Sequence, residues 1–598
     1  MKQIMESKRQ SQYMSQLWRL VTTIPRIYFS GLFDVPDYLD KYPDLNGKPL
    51  NAYIHLIRHG IRHSSFLSQD PAAASLLPEL IQKRIGPWRA RKLAANYRGP
   101  DDSSASFSSE YARSNFLCAK AYLEGRFKDA LNVLNDTSST FRLKFCHSML
   151  RGPYLLDDIA PFMSGIRDVF LSGEWDNSID GLKFYYDVTM AFGESLPDQA
   201  ILLERIIKCV QQQNDSSGFY LGILPTAAAP DQVRMKAAYG DYAIFQDIAA
   251  YNAITPLAAK TLSRAKQGWD VRRADGRKCV GVCVPPPEIW ITNDRFGETV
   301  RQVFKGLIAQ LDDTVDIMPI IFPYVRDVSR MKFPCERVIS YHTYAQNRPN
   351  ILHYKETSFK GECSFDETGY SGAALSAQSA VPSSLKAVPL SDKVVKYKQR
   401  HMSGALSKYT QPKIDDQKPL DDGFILIVLQ SQDDSVGRWH NISPIEMIKT
   451  CSEFARDKNL RVVMKPHPKE KSRYFMQQLE SLADIYESLT ISNQPIEALL
   501  PASRFIVTAN SGVGFEALLY ETPVITTAYS EYQPASLYAE NIEGLTIGLV
   551  RALHQTSVPN DEGGKHNHWI NHYCQHALWD GASERPKNHI LDEFISKI

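Results

Sequence analysis

Three stretches in the last third of the chain decide the fold: FILIVLQSQDDS at 424–435, LRVVMKPHP at 460–468 and RFIVTANSGVGFEALLYETPVIT at 504–526. Each contains a short apolar run rich in Val, Ile and Leu, and segments of helical period separate the runs. This alternation is typical of a parallel sheet wrapped by helices. The sequence therefore predicts an α/β domain over 421–598, closed by C-terminal helices.

Polar residues follow each of these predicted strands. Ligands of open parallel sheets bind beyond the carboxyl ends of the strands, so these residues form a predicted active-site rim. They are Gln430, Asp433, Asp434, Ser435, Lys465, His467, Pro468, Asn510, Ser511, Gly512 and Glu516.

The chemistry of the rim residues indicates a phosphate and sugar site. Asp433 and Asp434 present carboxylates that can act as nucleophile, base or metal ligand, and the residues alone leave these three roles open. Lys465 and His467 can donate hydrogen bonds to a phosphate, while Pro468 ends the strand. At 511–512 a helix begins, and free backbone N–H groups there favour an anion. Glu516, one turn later, can bind ribose hydroxyls.

Composition excludes several classes of protein. The 598 residues are too many for one hydrophobic core. A net charge of +1 gives no reason to expect a nucleic-acid partner. No apolar run approaches the roughly 20 residues of a membrane span, and the N-terminus lacks a signal-peptide pattern. Nine cysteines without framework spacing indicate reduced thiols, so we expect a cytoplasmic protein.

The N-terminal half has a helical pattern. Within 1–107, the segment 32–66 resembles a short module that recurs beside bacterial glycosyltransferase domains. Its histidines at 55, 59 and 63 are spaced four apart, but they lack a carboxylate or Cys to complete a metal site. Over 108–277 we predict a helical scaffold and a linker, with one helix-turn-helix repeat of the tetratricopeptide kind. The residues that pack this repeat are Tyr122, Gly125, Phe127 and Ala130.

A second α/β domain is predicted over 278–420. Apolar runs such as CVGVCV and RVISYHTY read as strands, and polar clusters lie at 340–343, 353–356 and 365–372. Loops of this kind bind substrates, although a simple turn is the alternative for GYSG. The candidate residues are His342, Lys355, Glu356, Asp366, Tyr370 and Ser371.

The motifs QxxDDS, KPHP and NSxxGFEALLYxxPVIT, in this order, resemble the bacterial capsule polysaccharide biosynthesis family, and in particular its retaining β-Kdo transferases. The likeness covers roughly 278–598. It implies the GT-B fold, in which two Rossmann-like domains face each other across a cleft, here preceded by the α-helical N-terminal region. It also implies a CMP-Kdo donor, Asp434 as nucleophile and His467 as the donor-phosphate contact. No metal is expected, because His467, Lys465 and the helix start at Ser511 can stabilise the charge of the leaving CMP phosphate. The candidates of 278–420 then belong to the acceptor side. At position 432 this chain has Gln where the family often has Glu.

Other functions remain open on the residues alone. They are a GT-B transferase or epimerase that uses another nucleotide sugar, a polyol-phosphate transferase, and a non-catalytic scaffold in a polysaccharide assembly complex. The partners expected are a nucleotide sugar, a glycan or lipid-linked glycan acceptor, and polysaccharide assembly proteins. Basic residues attract an anionic membrane at about 1 kcal/mol each. The enzyme is therefore expected at the inner face of the cytoplasmic membrane, held there by Lys2, Lys8, Arg9, Arg19 and Arg26.

Overall fold

The protein is described from a computed structural model. The residues that it describes are 23–28, 33, 48–55, 110–151, 156–176, 179–192, 199–213, 279–284, 311, 315–321, 325–333, 335–359, 362–378, 388–402, 423–431, 434–470, 473–554, 563–580 and 588–597. The described residues leave out all of 214–277 and 403–422 and most of 1–107, including His59 and His63. They also leave out Gln432 and Asp433.

The chain divides into two compact units. One comprises Met1–Ile166 and Glu470–Ser481, and the other comprises Arg167–Lys469 and Leu482–Ile598. In chain order, the α-helices are α1 (Pro49–His55), α2 (Glu110–Leu123), α3 (Phe127–Asn132), α4 (Ser139–Arg151), α5 (Leu156–Ile159), α6 (Met163–Leu171), α7 (Ile179–Ala191), α8 (Gln199–Gln213), α9 (Leu375–Gln378), α10 (Asp392–Met402), α11 (Pro444–Lys458), α12 (Arg473–Ile485), α13 (Ile496–Ala502), α14 (Gly512–Leu519), α15 (Ile542–His554), α16 (Gly563–His572) and α17 (His589–Ser596).

The predicted helix-turn-helix repeat is formed by α2 and α3. Gly125 has a φ of 73° in the turn between them, a conformation that glycine adopts without steric cost. The Tyr122 ring contacts the Phe127 ring edge-on with centroids 5.8 Å apart, and Ala130 is fully buried. In the N-terminal module, Phe33 contacts Tyr53 of α1 at 5.1 Å.

The larger unit contains two six-stranded sheets. The first is built from β1 (Cys279–Val284), β2 (Asp316–Ile321), β3 (Arg337–Tyr341), β4 (Ile351–Glu356), β5 (Glu362–Asp366) and β12 (Leu578–Asp580), in the order β12-β5-β4-β3-β1-β2. Strands β2, β1, β3 and β4 are parallel, while β5 and β12 are antiparallel to their neighbours. The predicted strands near 279, 316, 337 and 351 are confirmed.

The second sheet has the strand order of a dinucleotide-binding fold. It is built from β6 (Phe424–Val428), β7 (Val462–Lys465), β8 (Leu489–Ile491), β9 (Ser503–Thr508), β10 (Val524–Thr526) and β11 (Leu537–Tyr538), all parallel, in the order β11-β10-β9-β6-β7-β8. The order reverses between β6 and β9, and a ligand crevice opens where strand order reverses. Two such sheets with helices confirm the predicted α/β fold of the GT-B class.

Local sequence explains why these elements form. All five residues of β6 are buried, as expected for an apolar strand covered on both faces. Helix α11 begins with a capping box between Ser443 and Glu446, has Pro444 in its first turn, and ends at Asn459 in the left-handed conformation. Within the described residues, no helix is long and apolar enough to cross a bilayer.

The C-terminal segment differs from the prediction. The sequence placed all of 421–598 with the second sheet, but β12 pairs antiparallel with β5 and completes the first sheet. The Trp579 ring packs edge-on against Phe365 with centroids 5.6 Å apart. A three-residue strand is too short to show a period of two, so periodicity could not identify it.

Candidate functional site

The loops that follow β6 and β9 form the centre of the candidate site. They leave the second sheet on either side of the point where its strand order reverses, where ligands bind in folds of this kind. The Asn510 side chain joins the two loops, because its Nδ2 donates to the Val436 carbonyl at 3.1 Å and to the Tyr529 carbonyl at 3.1 Å. Asn510 therefore fixes the backbone of the crevice, a structural role beside the predicted donor contact.

Asp434 is placed at the start of a short 3-10 turn, Ser435–Trp439. Its Oδ1 accepts a hydrogen bond from the Val436 backbone N–H at 3.3 Å, so the carboxylate caps the turn. A capping hydrogen bond occupies one of the several acceptor positions of a carboxylate. The predicted partner carboxylate, Asp433, and the side chain of Ser435 lie outside the described residues.

His440 is a residue of this site that the sequence did not indicate. Its Nε2 lies 3.2 Å from Oε1 of Gln430, the residue that the end of β6 delivers to the rim. Burial lowers the pKa of His440 to about 4, and a hydrogen bond with the Asn510 side chain opposes that shift. At neutral pH a neutral imidazole therefore holds the predicted donor-binding Gln430 in place.

Lys465 and His467 of the KPHP motif make different contacts. Lys465 is buried, and its Nζ donates to the backbone carbonyl of Gln494 at 2.6 Å. Burial lowers the pKa of Lys465, and the charge of Glu497 opposes this. His467 Nδ1 accepts a hydrogen bond from the Lys469 backbone N–H at 3.1 Å, which places the ring proton on Nε2. His467 therefore presents an N–H donor beside the turn at Pro468, whereas Lys465 braces a neighbouring loop.

The start of α14 is more enclosed than the sequence suggests. The Ser511 side chain caps the helix by accepting from the Val513 N–H at 3.4 Å, and Tyr532 donates to the Ser511 carbonyl at 2.5 Å. An ideal Cβ on Gly512 would lie 2.5 Å from Oγ of Ser358, in the loop that follows β4 of the first sheet. Glycine at 512 therefore allows a close approach between loops of the two sheets.

Glu516 is not placed at the rim, which corrects its predicted contact with ribose. Its Oε2 lies 2.6 Å from Nε2 of the buried His401 on α10, whose Nδ1 lies 2.8 Å from the Tyr520 hydroxyl. Burial lowers the pKa of His401, but the hydrogen bond and charge of Glu516 outweigh it, so that the pKa is raised overall. This ion pair links α10 to α14 within the core.

Asp366 organises the loop that follows β5. Its Oδ1 accepts hydrogen bonds from the backbone N–H groups of Thr368 at 2.8 Å and Leu375 at 2.9 Å, and from the Thr368 hydroxyl at 2.9 Å. Burial raises the pKa of Asp366, and these hydrogen bonds oppose the shift. A carboxylate held by so many donors shapes the loop, so Asp366 is poorly suited to act as a base.

This organised loop packs against the turn that Asp434 caps. An ideal Cβ on Gly372 would lie 2.6 Å from Cγ of Trp439 and 2.6 Å from Cβ of Tyr529. Nearby, Lys355 Nζ lies 2.8 Å from Glu531 Oε1, and both side chains are less than a fifth exposed. Loops of the first and second sheets therefore meet at the candidate site.

The other acceptor-side candidates lie at the ends of β3 and β4 and in the loop that follows β5. The backbone of His342 has a φ of 56°, and the centroid of its ring lies 4.4 Å from the centroid of the Tyr370 ring. Glu356 is buried and accepts a hydrogen bond from the Tyr341 hydroxyl. Ser371 has a φ of 53° and is buried in the turn beside Gly372. The structure thus brings His342, Lys355 and Tyr370 together.

Acids and imidazoles of the described part of the chain form no group of three or more that could hold a metal ion. All nine cysteines are buried. The loops that follow β6, β7 and β9 carry a carboxylate, an imidazole donor and a helix start, respectively. Such groups serve nucleophilic attack and the stabilisation of a leaving phosphate.

Several solved structures resemble the chain at low similarity. KpsC β-Kdo 2,4 transferase of Thermosulfurimonas dismutans is 15% identical, with 53% of this chain and 98% of that chain covered and a TM-score of 0.31. UDP-GlcNAc 2-epimerase of Methanocaldococcus jannaschii is 12% identical, covering 54% and 83%, with a TM-score of 0.24. A Thermobaculum terrenum O-GlcNAc transferase mutant is 10% identical, covering 90% and 95%, with a TM-score of 0.27. Scores this low assign neither substrate nor activity to this chain.

A family model gives the more specific match. No curated protein matches the chain. Residues 374–543 match the family described as capsule polysaccharide biosynthesis protein. The matched segment contains Gln430, Asp434, His467 and Ser511, the residues on which the resemblance was based, and the resemblance is confirmed. Over residues 374–543 the chain is therefore similar to the family described as capsule polysaccharide biosynthesis protein.

Proposed function

We propose that the protein is a glycosyltransferase of bacterial surface polysaccharide synthesis, for capsule, O antigen or lipopolysaccharide, and that it transfers Kdo from CMP-Kdo to a glycan or lipid-linked glycan. The observation that carries the proposal is the contact at Gly372, where an ideal Cβ would lie 2.6 Å from Trp439. This contact sets the acceptor-side loop against the turn that Asp434 caps. A transferase needs this arrangement, because donor and acceptor must meet at one carboxylate.

In the proposed reaction, Asp434 attacks the anomeric carbon of the donor. A bond forms from the carboxylate oxygen to that carbon, and the bond to the phosphate oxygen breaks, so that CMP leaves with the electron pair. The Nε2–H of His467 donates to the phosphate and stabilises its charge. An acceptor hydroxyl then displaces Asp434, and two inversions give net retention.

The second displacement needs a base for the acceptor proton. Asp366 is committed to backbone donors, and Glu356 accepts from Tyr341. Asp433, adjacent to the nucleophile, is therefore the candidate that we favour. The reaction so described uses no metal, because hydrogen-bond donors of the protein stabilise the charge of the leaving phosphate.

The proposal is tested by trapping the covalent intermediate. Incubation with CMP-Kdo and no acceptor should add one Kdo to the peptide that contains Asp434, as measured by mass spectrometry. Asn also caps helical turns well, so Asp434→Asn should keep the fold and lose the adduct. Asp457→Asn, at an exposed acid of the same domain, is the matched control and should retain the adduct. An adduct on another residue, or CMP release that is unchanged in Asp434→Asn, would exclude Asp434 as nucleophile.

We also propose that the enzyme acts at the inner face of the cytoplasmic membrane, where the basic residues of 1–27 attract anionic lipid. This attraction is screened by salt. Cell fractionation should therefore find the protein with membranes at low salt and in the supernatant at high salt. A protein that stays in the supernatant at low salt, with or without residues 1–27, contradicts this placement.

A further inference from the structure

Two tyrosines form an exposed stack at the carboxyl edge of the second sheet. Tyr529 follows the end of β10 by three residues, and Tyr538 is the last residue of β11. Their ring centroids are 5.0 Å apart, and the ring planes are inclined by 25°. Tyr529 is 40% exposed, and Tyr538 is partly exposed. The pair therefore presents aromatic surface to solvent, although no sequence motif included either residue.

Neighbouring groups hold the stack in place. Asn441 Nδ2 donates to the Tyr538 hydroxyl at 2.6 Å, and Asn510 Nδ2 donates to the Tyr529 backbone carbonyl at 3.1 Å. Burial raises the pKa of Tyr538, and its hydrogen bond with the Tyr529 side chain adds to this, so the Tyr538 hydroxyl is neutral at physiological pH. Rings that are already held lose little further freedom when a ligand binds, which favours affinity.

The stack lies beside the groups that are proposed to carry out transfer. The nitrogen of Asn510 that holds Tyr529 also donates to the Val436 carbonyl, in the turn that Asp434 caps. In addition, an ideal Cβ on Gly372 of the acceptor-side loop would lie 2.6 Å from the Cβ of Tyr529. Tyr529 is thus next to both the Asp434 turn and the acceptor-side loop.

Strand order separates the stack from the donor phosphate. Within the second sheet, β7 and β10 lie on opposite sides of β6. In the proposed reaction the phosphate lies at His467, after β7, and the anomeric carbon lies at Asp434, after β6. The nucleoside of the donor continues from the phosphate away from the anomeric carbon, and so away from the stack, which follows β10 and β11. The stack is therefore on the acceptor side of Asp434.

An aromatic face of this kind matches a sugar ring. One face of a pyranose carries C–H groups, and their partial positive charge is attracted by the negative face of an aromatic ring. The sugar hydroxyls need polar partners, which Asn441 can supply, since an amide has a second donor hydrogen and an acceptor oxygen. We propose that Tyr529, Tyr538 and Asn441 form a subsite for a sugar ring of the acceptor glycan. The assignment to the acceptor rests on the proposed function.

An array of bacterial oligosaccharides, from capsules, O antigens and lipopolysaccharide cores, tests the proposal, with CMP present in excess to fill the donor crevice. Wild-type protein should bind at least one oligosaccharide, and Tyr529→Ala should weaken that binding about 10-fold or more, as measured by calorimetry. Tyr529→Phe keeps the aromatic face and should retain the binding. Tyr111→Ala, at an exposed tyrosine of α2, is the matched control and should bind as the wild type does.

Three results would overturn the proposal. The first is that no oligosaccharide binds the wild type, and the second is that Tyr529→Ala binds as tightly as Tyr111→Ala. The third is that Tyr529→Ala loses affinity for CMP as strongly as for the oligosaccharide, because the stack then holds the nucleobase. If Tyr529→Ala fails to fold, Tyr529→Leu provides the test, because leucine fills space without an aromatic face. Unchanged affinity in Tyr529→Leu would also count against the subsite.

The binding assay needs no turnover, so it separates a failure of the subsite from a failure of the proposed transferase activity. Oligosaccharide binding that depends on Tyr529, without CMP release from CMP-Kdo, would support the subsite and reject the proposed transfer. CMP release without that dependence would reject the subsite alone. With turnover, Tyr529→Ala should raise the KM for the acceptor and leave the KM for CMP-Kdo unchanged.

Discussion

Replacing Gly372 with alanine tests the contact between the acceptor-side loop and the turn capped by Asp434. The new Cβ would lie 2.6 Å from Cγ and Cδ1 of Trp439, and 2.6 Å from Cβ of Tyr529. Carbon atoms at rest are about 3.5–4.0 Å apart, so the loops must separate by about 1 Å. Overpacking of this kind costs about 1–3 kcal/mol. The φ of Gly372 is not in the left-handed region, so the effect is steric.

The expected consequences are a lower urea midpoint and slower transfer. A displacement of about 1 Å at a reacting group costs about 10²-fold in rate. Tryptophan fluorescence in urea measures the first effect, and CMP release measures the second. Gly165→Ala is the control, because a Cβ at that helical glycine would meet nothing within 4 Å. If Gly372→Ala has the same urea midpoint and the same rate of CMP release as the wild type, the loops are not in contact and the reasoning is refuted.

Three further changes have defined outcomes. His467→Ala should reduce turnover about 10²–10³-fold and leave the urea midpoint unchanged, because it removes one phosphate donor; an unchanged rate would remove His467 from the site. EDTA should leave the rate unchanged, whereas loss of activity that Mg²⁺ or Mn²⁺ restores would favour Asp433 and Asp434 as metal ligands. Glu516→Gln should destabilise the protein most at low pH. The raised pKa of His401 stabilises the fold fully below about pH 6.5, and this contribution is lost as pH rises through the folded-state pKa. If the difference in urea midpoint between variant and wild type is the same at pH 6 and at pH 9, the pairing of His401 with Glu516 is contradicted.

Periodicity predicted β6, β7 and β9 because each contains a buried run of four or more residues. The apolar residues of β6 and β9 identify the strands, and the reversal of strand order then locates the crevice between Asp434 and Asn510. The same reasoning failed for β12, whose three residues pair with β5 across more than two hundred positions of sequence. Long-range pairing of a short strand leaves no local signal.

Side-chain partners were the least predictable part of the site. Glu516 follows the helix start by one turn, which suggested a ligand contact, but its partner is His401, 115 positions away in sequence. The acceptor of Lys465, the Gln494 carbonyl 29 positions away in sequence, is likewise set by tertiary packing. Motif spacing places a residue at a strand end, but it does not indicate which side of that end the side chain faces.

The central claim is that this chain transfers Kdo from CMP-Kdo by way of Asp434. The most direct measurement incubates the purified protein with a panel of CMP- and UDP-sugars and a glycan acceptor, and follows the release of free nucleotide. The account predicts CMP release from CMP-Kdo by the wild type and by Asp457→Asn, and none by Asp434→Asn. Release of UDP alone, or no release from any sugar by a folded protein, would contradict it.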